Sequence, residues 1–206
     1  MITLTIASQK GGVGKSTLAL SLAVASPLVT CVLDLDPQAS ASLWFERRES
    51  EAPAVIGCLP AMLSQRLDQV KESGAELTII DTSPVARDVA VDASDHSDLT
   101  LIPCRPEVMD FESARETVKV LQKFERRYAV VLNQVPPMGG PETRDVLEAF
   151  NVISANVCPV LIHQRKAHGR AQKYGQTAGE FEPESKAATE ISALLDYVME
   201  NIHAKE

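Results

Sequence analysis

Six short aliphatic and β-branched runs punctuate the chain, at residues 2–7, 29–35, 77–81, 99–104, 128–135 and 157–162, and each reads as a buried strand. Between them, helical spacing of apolar positions predicts helices over 15–25, 39–48, 60–71, 85–94, 110–124 and 141–150, with an irregular basic stretch from Gln164. A last helix over 184–202 carries Ile191, Leu194, Leu195, Val198 and Ile202 on one stripe, the pattern of a helix laid against a core. Strand alternating with helix predicts an α/β fold: a single domain over residues 1–206, with a doubly wound, mostly parallel sheet flanked by helices. No linker, repeat or low-complexity tract interrupts it. The Pro/Gly-rich 135–141 reads as a loop that places Pro141 in the first turn of the following helix.

Composition narrows the function classes. At 206 residues and 45% hydrophobic, the chain can bury a substantial core and needs no disulfide staples. Cys31, Cys58, Cys104 and Cys158 form no Cys-x-x-Cys pair, which argues against zinc, iron–sulfur or dithiol chemistry and for buried thiols in a cytoplasmic protein. The apolar start, with its first charge at Lys10, inverts the order of a secretory signal, and the apolar stretch at 18–25 falls far short of the roughly 20 residues of a bilayer span. The formal charge of -8 should repel nucleic acid and anionic lipid unless a basic patch exists. One does: residues 152–179 contain no Asp or Glu and carry Arg165, Lys166, Arg170 and Lys173, with His163 and His168 interleaved. This stretch contributes +4 and leaves -12 for the remainder.

In a doubly wound sheet ligands bind at the carboxyl ends of the strands, so the strand-to-helix junctions come first. The first junction reads Ser8-Gln9-Lys10-Gly11-Gly12-Val13-Gly14-Lys15-Ser16-Thr17, behind one predicted strand and ahead of a predicted helix. That is the setting of a phosphate-binding loop: glycines curl the backbone so its N–H groups face inward, and the helix N-terminus adds partial positive charge. Lys15 would reach the β- and γ-phosphates and the Ser16 hydroxyl would ligate Mg²⁺. At the second junction, Asp34 and Asp36 stand two apart in Asp34-Leu35-Asp36-Pro37-Gln38, so both can face one Mg-phosphate site, although a helix-capping pair has the same spacing. The third, residues 77–84, is an apolar strand ending in Asp81.

The position five before Gly14 is Gln9, with Lys10 directly after it, so the loop departs from the plain Walker A pattern. Lys10-Gly11-Gly12-Val13-Gly14-Lys15-Ser16 instead resembles the deviant Walker A loop of the ParA/MinD superfamily of P-loop ATPases. The resemblance implies that Lys10 reaches across an ATP-bound homodimer to the other subunit's phosphates, a task suited to a compact charge on a long stem. It implies that Asp36 orients the attacking water, that Asp34 supports the metal shell, and that Asp81 holds an Mg²⁺-bound water as a Walker B acid, with Thr82 to Pro84 in a second switch. Asn133, at the end of its strand, matches an asparagine used near adenine, though a capping or turn role is open to it as well. ATP and Mg²⁺ are then the expected ligands.

Residues 98–111 look like the short ParF-type ParA proteins of plasmid partition, and with the first strand so near the start of the sequence a preceding DNA-binding domain is not expected. This resemblance implies ATP-gated, non-specific DNA binding through the basic segment, a centromere-binding adaptor of the ParB or ParG kind as partner, and nucleoid association. An ordinary solvated or dimer-facing basic face is the alternative for that segment. Cargo other than DNA, such as a carboxysome, chemoreceptor cluster or cellulose-synthesis machinery, fits the same motifs. A MinD-like membrane cycle needs a basic amphipathic terminal helix, whereas residues 180–206 carry seven acids against two lysines.

Overall fold

The computed structural model describes residues 1–84 and 87–203. Its six strands, β1 (Ile2–Ile6), β2 (Thr30–Asp34), β3 (Ala54–Gly57), β4 (Leu77–Asp81), β5 (Leu99–Cys104) and β6 (Tyr128–Leu132), form one sheet in the order β3-β2-β4-β1-β5-β6, with every pairing parallel. The helices are α1 (Lys15–Ala25), α2 (Ser40–Phe45), α3 (Leu63–Glu72), α4 (Arg87–Asp95), α5 (Val108–Lys123), α6 (Pro141–Val152), α7 (Lys166–Ala171), α8 (Ala178–Phe181) and α9 (Lys186–His203). Parallel pairing demands these crossovers, and the helices they supply cover both faces.

The two-residue period of the strands decides which side chain joins which layer. Leu4, Ile6, Val32, Ile79, Leu101 and Val131 meet Leu18 and Leu22 of α1 and Leu194 and Val198 of α9. On the opposite face Ile102, Val130 and Leu132 pack with Val118 and Leu121 of α5 and Phe150 of α6, while Leu33 and Ile80 pack with Leu63 and Leu67 of α3. The central strands carry Thr5, Thr78 and Thr100 among these buried residues. Thr5 is satisfied there by the Ala93 carbonyl and the Ser97 hydroxyl. Truncating a fully buried Leu such as Leu4 should cost about 2–5 kcal/mol.

Three expectations change. The run 157–162 forms no strand: it meets β6 at the isolated bridge Val130–Val157, where the Cys158 N–H donates to the Val130 carbonyl, but the Leu132 carbonyl then accepts from Ile162, four residues on instead of two, so the ladder slips out of register after Cys158. The sheet gains β3 instead, a four-residue edge strand, half-exposed and paired to β2 alone, too short to show a hydrophobic period. The helix expected over 60–71 begins as a 3-10 turn at Pro60–Met62 and continues as α3. Of the helix expected over 85–94, positions 85 and 86 lie outside the described residues, and α4 covers the rest.

Candidate active site

Ile6, Asp34 and Asp81 stand level on three adjacent strands, so the loops that follow them open onto one place. Residues 7–14 join β1 to α1. Gly14 takes φ +90 as it enters the helix, and a Cβ there would collide with the Asn133 side-chain nitrogen. Only glycine satisfies both demands. The loop is braced from the end of β6, where the Asn133 Nδ2 donates to the Val13 carbonyl at 2.6 Å and the Gln134 Nε2 to the Gly12 carbonyl at 2.8 Å. Asn133, expected near adenine, thus places its amide nitrogen on the glycine-rich loop. Gln134 went unnoticed in the sequence, which offers only its adjacency to Asn133.

The cleft at this point holds about 520 Å³ and is bounded by Gly11, Gly12, Gly14, Lys15, Ser16 and Thr17 on one side and by Asp36, Leu43, Trp44 and Arg47 on the other. Lys15 is buried, and its ammonium donates to the Lys10 carbonyl at 3.2 Å. Burial pulls its pKa below the ordinary lysine range, against the pull of the Asp81 and Asp36 carboxylates. A partly desolvated ammonium aimed into a glycine loop is ready to gain from an anion.

Asp81 is fully buried, and neither carboxylate oxygen has a hydrogen-bond partner among the described residues. Burial pushes its pKa up to about 7; the nearby Ser16 hydroxyl and Lys15 lower it, while Asp34 and Asp36 raise it further. An orphaned carboxylate is costly unless something cationic completes it. With the Ser16 hydroxyl beside it, this donor set suits a hydrated magnesium ion, which prefers one or two protein oxygens and keeps its waters and the substrate phosphates.

Residues 4–178 match the model of the CobQ/CobB/MinD/ParA nucleotide binding domain. The chain belongs to that family. Among curated relatives, a "Maintenance of carboxysome distribution protein A" from Gloeobacter kilaueensis is 31% identical over 173 residues, 81% of this chain and 78% of its own length. A "Protein ParA" from Rhizobium radiobacter is 28% identical over 66% of each chain. The MinD cell-division protein of Aquifex aeolicus, solved in complex with MinC, superposes with a TM-score of 0.77 at 17% identity over 97% of this chain and 96% of the other, which establishes likeness of fold.

The remaining expected residues differ in how they are held. Asp34 is buried with its oxygens engaged: Oδ1 accepts from the Asp36 N–H at 3.1 Å, and Oδ2 from the Ser42 N–H and hydroxyl at 2.9 Å each. It fastens the loop that carries Asp36 into the cleft. Asp36, half-buried, accepts from the Gln38 N–H at 2.9 Å. Lys10 turns outward to Asp110, whose carboxylate is also held by Arg105.

The basic segment is less free than its composition implied. Arg165 sits 2.5 Å from Glu190 of α9, which also accepts from the His163 N–H and meets its ring at 2.9 Å, and Arg170 lies 3.8 Å from Glu182. Lys166 and Lys173 are exposed. The acid-free count of 152–179 missed these partners because they come from residues beyond the segment. Its Gln172 reaches the site, donating to the Thr17 hydroxyl at 3.0 Å, and its 172–176 backbone accepts from Arg47, Arg48 and Trp44. No local signal marked these contacts.

Proposed function

We propose that this family member is an ATP hydrolase that dimerises on ATP and positions cargo, in the first place plasmid or chromosomal DNA, through an adaptor protein of the ParB or ParG kind. The observation that carries this reading is the orphaned Asp81 carboxylate beside Ser16 and the buried Lys15, at the mouth of a glycine-rich loop.

Phosphoryl transfer asks a protein mainly for positioning and charge neutralisation. The N–H groups of 11–14 and the Lys15 ammonium would bind the phosphates, the Ser16 hydroxyl and Asp81 would hold the metal and its water, and Asp36 would orient the attacking water. When bound there, Mg²⁺ would supply neutralisation of the phosphate charge. Lys10, whose stem is 41% exposed, adds its charge to the site of a second protomer. Asp34 acts here by holding the Asp36 loop in register. The exposed Val108 and Met109 in the first turn of α5, beside Asp110, offer an apolar contact on the same side as Lys10.

Exposed Lys166 and Lys173, doubled in a dimer, support sequence-independent DNA binding that weakens with salt by roughly 0.9 in log–log slope per phosphate contacted. A second reading, in which the cargo is a protein assembly such as a carboxysome, is favoured by the Gloeobacter relative. ATPase and DNA-retention assays test both. Lys15→Ala should lose ATP binding, and Asp36→Ala should bind ATP and DNA yet turn over at least tenfold more slowly. Lys166→Ala with Lys173→Ala should lose DNA retention while still dimerising. Retention of the double variant at wild-type level would remove DNA binding by this segment from the proposal.

A further inference from the structure

Lys10 leans away from its own phosphate loop. Within one protomer its ammonium lies 4.0 Å from Asp110 Oδ1, and the two ends of this contact differ sharply: the Lys10 side chain is 41% exposed and that of Asp110 is 1% exposed. Asp110 is also the more firmly held, because Arg105 grips it in a fork, Nε to Oδ2 at 2.6 Å and Nη2 to Oδ1 at 3.1 Å. The carboxylate stands in the first turn of α5, where the helix favours negative charge. Gln9, next to Lys10, touches Thr117 of the same helix at 3.5 Å. The start of the phosphate loop thus rests against α5, with a fixed acid and a movable base.

Arg105 supplies two charge-assisted hydrogen bonds, so burial of Asp110 does not depend on Lys10. The ammonium can therefore leave without stranding a buried charge. Any contact made in one protomer and given up in the dimer opposes association by its own free energy.

We propose that Asp110 is a positioning residue for Lys10: it holds the ammonium in cis and competes for it with the phosphates of the opposing protomer. The inference rests on the cross-dimer role of Lys10 proposed above. The contact is long and half exposed, so its effect on the dimer equilibrium is modest, about threefold to tenfold. Its function is a threshold: the lysine crosses only when the phosphates opposite attract it more strongly than a carboxylate already within reach.

Sedimentation of the full chain with a non-hydrolysable ATP analogue measures this directly. Asp110→Asn should tighten the dimer about threefold to tenfold, and Asp110→Glu, which keeps the charge, should stay near wild type. In a Lys10→Ala background Asp110→Asn should add nothing. An unchanged or weaker dimer for Asp110→Asn, or the same gain without Lys10, overturns the inference. If Lys10→Ala alone leaves dimerisation unchanged, the cross-dimer role fails and takes this inference with it. If Lys10→Ala weakens the dimer while Asp110→Asn has no effect, only the cis contact fails. Should Asp110→Asn not fold, Asp110→Ser carries the same comparison.

Discussion

Asp34 and Asp81 occupy matching positions, facing each other in register at the ends of neighbouring strands, and both are buried. One is saturated with hydrogen bonds, and the other has only the nearby Ser16 hydroxyl and Lys15 to offset its burial. Asp34 accepts three hydrogen bonds from the loop that follows it, whereas Asp81 accepts none among the described residues and is pushed up to about 7. The same side chain at the same level of one sheet thus serves two ends. The first stabilises by satisfying donors; the second carries a cost that ligand binding can relieve.

The sharpest way to break this contrast is to remove the charge of Asp81. Its folded pKa exceeds the ordinary value of 3.8, so the folded chain holds more protons than the unfolded one between about pH 4 and 7, and the contribution of Asp81 to stability falls as pH rises through that window. Asp81→Asn should match wild type near pH 4 and exceed it at pH 8 by up to about 4 kcal/mol in chemical denaturation, because each tenfold change in proton affinity corresponds to about 1.4 kcal/mol. Its ATP turnover should fall about 10–100-fold, and Mg²⁺ with ADP should no longer raise its Tm. Equal stability at both pH values would remove the cost assigned to Asp81.

Asp34→Ala should act in the opposite sense. It strands the Asp36 and Ser42 donors and should destabilise by about 2–4 kcal/mol in chemical denaturation. Ser42→Ala removes one of the three bonds and should cost about 1 kcal/mol while slowing turnover less than Asp36→Ala does. Gln134→Ala, which loosens one brace on the phosphate loop from a partly exposed position, should be smallest, about 0.5 kcal/mol, read most easily as weaker nucleotide binding.

Five of the six expected strands were legible because each is a run of aliphatic residues long enough to stand out. The two failures have different causes: β3 is short and lies at an edge, and the pairing of 157–162 with β6 slips out of register after Cys158, which no local pattern marks. In the site, the phosphate loop was legible because its chemistry is local. Glycines, a lysine and a hydroxyl must be consecutive for the backbone to cradle an anion, and the sequence states that order directly.

Sequence by itself therefore determined the alternating fold, the phosphate loop with Lys10, Lys15 and Ser16, and the presence of acids at the ends of β2 and β4. Tertiary structure decided which acid is satisfied and which is orphaned, that Asn133 braces the glycine-rich loop at Val13, that Glu190 and Glu182 face two of the four segment cations, and that Asp110 stands beside Lys10. Each of these depends on hydrogen-bond partners or charges brought together from separate stretches of the chain. Burial and pairing, which set the energy of a charge, are properties of that assembled neighbourhood and not of the residue or its sequence neighbours.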